Sequence, residues 1–121
     1  MTKIRNYTPH VVTLIVDGVG VDFPSEGIIR AKQEDTKVDE IITDLDLGNS
    51  SAGFTIPVFS SRFFEPEGVP ELEDDTIYIV SSLAFQSLKA HGYNMKYFVV
   101  PAGTIRDESG KIIGCKGFAR I

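Results

Sequence analysis

The segment TIYIVSSLAFQSLKAHGY, residues 76–93, contains the residue types that most directly suggest binding chemistry. A buried-strand pattern passes without a loop into a short helix pattern, which Ser81 or Ser82 can cap and Gly92 can end. The first amides of such a helix, together with its dipole, favour an anion. Helical phase separates Phe85 from the main apolar side. We therefore expect either an exposed ring that stacks on a nucleobase or a ring packed against a neighbouring strand or subunit.

Two further segments contain an arginine that could bind a ligand. Arg106 and Asp107 precede a turn, where Arg can stack on a base or clamp a phosphate and Asp can accept hydrogen bonds from an amino group or ribose. The same pair is also ordinary surface chemistry, and the spacing does not choose between the two. Arg62 lies in FSSRFF, beside apolar residues, and we expect it to need a counter-ion, either an internal carboxylate or a bound phosphate.

Catalytic and metal-binding patterns are weak. The sequence has no glycine-rich phosphate loop and no Gly-x-Ser-x-Gly elbow. His10, His91 and Cys115 are scattered rather than paired at a metal-ligand spacing. We therefore predict a binding protein rather than an enzyme, with no catalytic residue, metal or cofactor.

Composition and charge limit the class of protein. The 121 residues fit a single ligand-binding domain, 1–121, and 42% of them are hydrophobic, as in ordinary globular proteins. The net charge of −5 argues against duplex nucleic acid as a partner, whereas residues 76–121 have six basic and two acidic side chains that could attract a small anion. No apolar run is long enough to span a membrane, so we expect a cytoplasmic protein.

The remaining patterns predict strands. Residues 10–23 predict a hairpin that turns at Asp17-Gly18, and residues 27–38 an exposed strand. Residues 39–53 predict a short helical turn or a loop, ending in the break GNSSAG. A strand over residues 54–65 would contain Pro57, which favours an edge or a bulge. With a strand at residues 76–80 and a hairpin at the carboxyl end, the fold class is α+β, a mainly antiparallel β-sheet core with one or two short helices.

Three segments resemble, in the same order, a group of small bacteriophage and prophage proteins. They are NYTPHVV near the start, GVPELEDDTIYIVSSL in the middle and IRDESGKIIGCKGFAR at the end. Within that group the chain is most similar to the Thoeris anti-defence sponges, which capture cyclic nucleotide immune signals in the cytoplasm of the infected bacterial host. The resemblance implies a β-sheet core with helices and a symmetric homo-oligomer, often a hexamer. It also implies binding of glycocyclic ADP-ribose without cleavage, with cyclic oligonucleotides held at a separate site in some relatives.

The resemblance also implies roles for individual residues. Phe85 and Arg106 would sandwich adenine, while Asp107 and Asn94 would contact the base or ribose. The phosphates would meet the remaining arginines, Arg62, Arg30 and Arg120. Two alternatives stay open: a structural or assembly protein of a phage, and an enzyme that degrades the same ligand using His91 or His10 with an acidic partner.

Overall fold

The computed structural model describes residues 1–46, 48 and 51–121, which fall into two compact units. One unit comprises residues 1–32 and 65–121, and the other comprises residues 33–64. The strands are β1 (Lys3–Asn6), β2 (Val12–Val16), β3 (Val19–Phe23), β4 (Gln33–Asp46), β5 (Ser51–Phe63), β6 (Thr76–Ile79), β7 (Phe98–Arg106) and β8 (Ile112–Ala119). One helix, α1 (Ser82–Ala90), and a 3-10 turn (Met95–Tyr97) complete the elements. The predicted α+β class is confirmed, while the single domain over 1–121 stays a prediction.

The larger unit is built on a six-stranded sheet in the order β1-β6-β7-β8-β2-β3. Its ladders are mixed: β1 with β6, β6 with β7 and β2 with β8 run parallel, while β2–β3 and β7–β8 are antiparallel hairpins. The first hairpin turns at Asp17 and Gly18, whose φ angles of 51° and 77° suit a type I′ turn. This confirms the hairpin predicted for residues 10–23, with strands at Val12–Val16 and Val19–Phe23.

Helix α1 packs on the sheet at the place where β6 ends. Ser81 is its N-cap, with the Oγ atom accepting a hydrogen bond from the Ala84 amide at 3.2 Å, and Gly92 has a φ of 79° after its last turn. Both features confirm the predicted helix. The main buried cluster combines residues of the helix, the strands and the connecting segments: Ile29, Tyr78, Val80, Ala84, Phe85, Leu88, Phe98 and Val100. The strand-to-helix junction is therefore anchored by the core beneath it.

A buried polar network explains the NYTPH segment at the end of β1. Asn6 is fully buried, and its Nδ2 atom donates to the carbonyl oxygens of His10 and Phe23, both at 2.7 Å. Its Oδ1 atom accepts from the Thr8 amide at 2.9 Å and from the Thr8 hydroxyl at 2.7 Å. One side chain thus holds the β1–β2 connection and the end of β3 in place.

Residues 33–64 form a long antiparallel hairpin of β4 and β5. The prediction of a turn or loop over residues 39–53 is wrong for 39–46, which belong to β4, and for 51–53, which belong to β5. Asp and Glu have weak strand preference, but pairing along β5 overrides it. Pro57 is tolerated because each strand of a two-stranded sheet has a free edge, and a bulge between Lys37 and Asp39 lies close by. Of the GNSSAG break, residues 49 and 50 lie outside the described residues, as does residue 47.

Candidate functional site

A cleft of about 420 Å³ lies at the amino-terminal end of α1. The chain reaches it from three places: the loop after β1, the segment that precedes β4, and the first turn of the helix. Its lining residues are Pro9, Ile28, Ile29, Arg30, Ala31, Lys32, Ser81 and Leu83. All of them belong to the unit formed by residues 1–32 and 65–121.

The cleft carries two exposed cationic side chains, Arg30 and Lys32. The Arg30 backbone is fixed by a pair of bonds with Glu67: the Arg30 amide donates to the Glu67 carbonyl at 2.8 Å and the Glu67 amide returns a bond at 2.9 Å. Within residues 1–46, 48 and 51–121, neither cationic head group has an ion pair. Both charges are therefore available to a ligand.

The helix contributes backbone donors to the same cleft. Ser81 satisfies two first-turn amides, those of Ala84 through its hydroxyl and of Phe85 through its carbonyl at 2.9 Å. The amides of Ser82 and Leu83 have no acceptor in the part of the chain that the structure describes. Amides of this kind, at the positive end of a nine-residue helix, bind phosphate or carboxylate.

The rest of the lining is apolar. Pro9 and Leu83 are exposed, Ile28 is half-buried and Ile29 forms the floor as part of the core. An apolar wall beside two cations and free amides suits a ligand that has an organic ring and an anionic group. A larger cleft of about 470 Å³ has one cation, Lys96, in its lining and two carboxylates, Asp74 and Asp75, which would repel an anion.

The prediction of an exposed Phe85 ring is wrong. The residue is 1% exposed and belongs to the main buried cluster, so its ring cannot stack on a base in this structure. The buried side of α1 is formed by Ala84, Phe85, Ser87 and Leu88, which leaves Leu83 at the surface. The alternative of a ring packed inside the fold is the one observed.

Arg106 and Asp107 lie together at the β7–β8 turn, where both hold the turn itself. Arg106 Nη1 donates to the Gly110 carbonyl at 2.8 Å. Asp107 Oδ1 accepts from the Ser109 hydroxyl at 2.7 Å, and from the amides of Ser109 at 2.9 Å and Lys111 at 3.0 Å. The Ser109 hydroxyl, followed by the Lys111 amide, lowers the pKa of this exposed carboxyl below its ordinary value.

Asn94 and Arg120 meet at the 3-10 turn. Asn94 Oδ1 caps it by accepting from the Lys96 amide at 3.1 Å. Arg120 donates through Nε to the Met95 carbonyl at 3.2 Å and through Nη2 to the Lys96 carbonyl at 2.8 Å. Both side chains stabilise local backbone, and neither lines the cleft at α1.

Arg62 lies in the hairpin unit. Its guanidinium is 3.8 Å from the Glu34 carboxylate and 4.7 Å from the centre of the Phe64 ring. The expected counter-ion is thus a carboxylate, the first of the two alternatives. At 70% exposure, however, the Arg62 side chain remains open to further contacts.

Of the predicted binding residues, Arg30 alone lines the cleft. Lys32, Leu83 and Ile28 were missed. The nearest signal was the spacing of Arg30 and Lys32, because two cations separated by a small residue are readily presented on one side of an extended segment. The sequence did predict the Ser81 cap. It also predicted the first amides of the helix, which favour an anion at this end.

No protein-family model, curated protein or solved structure matches this chain. Among the residues that the structure describes, none of the His, Cys, Asp and Glu side chains gather in a group able to hold a metal ion. The same part of the chain contains no helix of the length and apolarity needed to cross a membrane.

Proposed function

We propose that this protein binds and sequesters a cyclic nucleotide immune signal, glycocyclic ADP-ribose and also cyclic oligonucleotides, without cleaving it, and thereby blocks host antiphage signalling. The observation that carries the proposal is the cleft at α1, where Arg30, Lys32 and the amides of Ser82 and Leu83 all favour a phosphate. The proposed setting is the cytoplasm of the infected bacterial host.

The chemistry of the cleft divides the proposed ligand into two parts. A phosphate would accept hydrogen bonds from the free amides and the two cations. Hydrogen bonds to such an ionised acceptor are charge-assisted and therefore strong. The base or ribose would lie along Leu83, Ile28 and Pro9. A cleft of about 420 Å³ falls in the size range of sites that bind small organic ligands.

Sequestration is favoured over degradation by the residue types at the cleft. Its lining contains no carboxylate and no histidine, the residue types that most often serve in general acid-base catalysis. His91, the residue named for an enzyme, is not among the lining residues, and its Nδ1 atom lies 2.9 Å from the Ser87 carbonyl oxygen within the helix. The proposal therefore assigns binding, not turnover, to this site. It also includes a homo-oligomer, expected as a hexamer.

The test is ligand retention by the purified protein. The protein is incubated with glycocyclic ADP-ribose isomers and with cyclic oligonucleotides, freed of unbound ligand and heat-denatured, and the released compound is identified by mass spectrometry. Intact ligand supports sequestration, a converted product indicates an enzyme, and retention of nothing favours a structural or assembly protein of a phage.

Matched variants locate the site. Each charge-assisted hydrogen bond contributes about 1.5 to 3 kcal/mol, so Arg30→Ala and Lys32→Ala should each weaken binding by roughly 10- to 150-fold. Lys111→Ala removes an exposed cation elsewhere and should leave binding unchanged. If Arg106→Ala abolishes retention while Arg30→Ala does not, the ligand site lies at the β7–β8 turn and the assignment to this cleft is wrong.

A further inference from the structure

One wall of the cleft at α1 is formed by residues 28–30, which are held by backbone bonds from two other parts of the chain. The Ile29 amide donates to the Tyr7 carbonyl oxygen at 3.1 Å. Arg30 forms an isolated antiparallel bridge with Glu67, through bonds of 2.8 and 2.9 Å. Residues 28–30 lie outside the strands and the helix of this unit. Their position is therefore set by these partners and not by a regular element of their own.

A close backbone approach at Gly68, directly after Glu67, completes the arrangement. Gly68 has a φ of 81°, in the left-handed region that glycine favours. A Cβ atom added to it would also overlap the carbonyl oxygen of Ile28, which is a backbone atom and cannot rotate away as a side chain can. A Cβ atom on Gly27 would lie 2.7 Å from Cε1 of the Tyr7 ring. The wall is thus enclosed at two points where a glycine leaves the necessary space.

We propose that Gly68 is a positioning residue of the cleft at α1. Because it has no side chain, the chain can pass against the Ile28 carbonyl, and this contact holds Arg30 in its binding position before a ligand arrives. Gly68 is not among the lining residues, so it acts through Ile28 and Glu67 and not by touching the ligand. A site that is already in place has less conformational freedom to lose on binding, which raises its affinity. The inference rests on the proposed function, since it assigns Gly68 a role in binding at that site.

A displaced wall would affect both kinds of contact that the cleft offers. Ile28 and Ile29 supply apolar lining, and Ile29 is also part of the main buried cluster. Arg30 supplies a charge, and its exposed side chain has no ion pair within the described part of the chain. The region that its guanidinium can reach is therefore set by the backbone that carries it. A shift of the Ile28 carbonyl would move the apolar lining and the cation together.

The first measurement is amide hydrogen exchange of the parent chain without ligand, which requires no variant to fold. The Arg30 and Glu67 amides each donate to the carbonyl oxygen of the other residue. Both should exchange at least about tenfold more slowly than in the unfolded chain. Exchange of these two amides at the unfolded rate would mean that the wall is not held before binding, and it would overturn the proposal.

The second measurement compares Gly68→Ala with Gly18→Ala as a matched control. Gly18 has a φ of 77°, but no atom lies within 4 Å of an added Cβ. Both variants therefore strain the backbone, and only Gly68→Ala displaces a neighbour. Affinity for glycocyclic ADP-ribose is measured by calorimetry at a temperature where circular dichroism shows both variants folded. Gly68→Ala should bind at least about tenfold more weakly, as for the loss of one charge-assisted hydrogen bond, and Gly18→Ala should differ from the parent by less than about twofold.

The outcomes separate this inference from the proposed function. If Arg30→Ala loses binding while Gly68→Ala binds as the parent does, the proposed function stands and Gly68 has no positioning role. Equal losses in Gly68→Ala and Gly18→Ala would make backbone strain the cause, and they would overturn the inference too. A parent chain that retains no ligand overturns the proposed function, and the role of Gly68 with it.

Discussion

Replacement of Asn6 by Ala is expected to lower the free energy of unfolding more than any other substitution of a polar residue in the unit formed by residues 1–32 and 65–121. The change removes two donated and two accepted hydrogen bonds, those to the carbonyls of His10 and Phe23 and those from Thr8. At about 0.5 to 1.5 kcal/mol per bond, the loss amounts to roughly 2 to 6 kcal/mol. A domain with 5 to 15 kcal/mol of unfolding free energy, roughly the usual range, would lose a large part of it.

Urea unfolding followed by circular dichroism measures this loss. Asn94→Ala is the matched control, since Asn94 is exposed and its side chain makes one bond, to the Lys96 amide. We expect the control to cost about 1 kcal/mol, the usual effect of losing a cap. If Asn6→Ala costs no more than Asn94→Ala, the network does not hold the loops as described.

Asn6→Asp refines the same test. It keeps the acceptor for Thr8 but directs a carboxylate oxygen at the carbonyls of His10 and Phe23. Burial and these carbonyls would raise the pKa of the new carboxyl above its unfolded value. Since the folded chain then binds the proton more tightly, this variant should lose stability as pH rises from about 4 toward 7. A pH-independent difference from the parent would contradict the geometry.

Two further outcomes concern residues first considered for binding. Phe85→Ala should cost about 3 to 5 kcal/mol in urea unfolding because it opens a cavity in the core; unchanged stability would mean that the ring is not buried. The pKa of Asp107 should lie below its ordinary value in an NMR titration. Its hydrogen bonds therefore stabilise the turn above the unfolded pKa of about 3.9 and are lost as pH falls through the folded pKa; in Ser109→Ala the pKa should return toward normal, and an unaltered value would exclude the hydroxyl as its main cause.

The hairpin turn and the ends of the helix were predicted correctly because each depends on a few neighbouring residues. Asp17-Gly18 has the backbone freedom that a tight hairpin requires, and Ser81 and Gly92 bracket the helix with the residues that its ends need. The acidic stretch Asp39–Asp46 was missed because its strand conformation depends on pairing with another strand, β5, and not on the preferences of its own residues. Intrinsic preference pointed to a turn, and pairing decided otherwise.

The binding residues were harder to predict because helical phase shows which residues share a side of a helix but not which side is buried. Leu83 and Phe85 are both apolar and lie on different sides of α1, and the sequence does not show which one faces the sheet. Because Phe85 is buried, the candidate site lies at the amino-terminal end of α1 and not along its side. Arg120 and Asp107 were likewise drawn into backbone bonds that only the folded chain reveals.

The order of strands in the sheet has a consequence for how the chain folds. Lys3–Asn6 pairs with Thr76–Ile79, and Leu14 pairs with Cys115, so β1 and the β2–β3 hairpin gain these partners only after much later residues have been made. Residues 33–64, by contrast, pair only in sequence-local fashion within their own hairpin. Closing long loops before they gain contacts slows folding. During synthesis the β4–β5 hairpin can form while β1 is still unpaired and the β2–β3 hairpin still lacks β8, and the sheet closes last, when Cys115 has emerged from the ribosome.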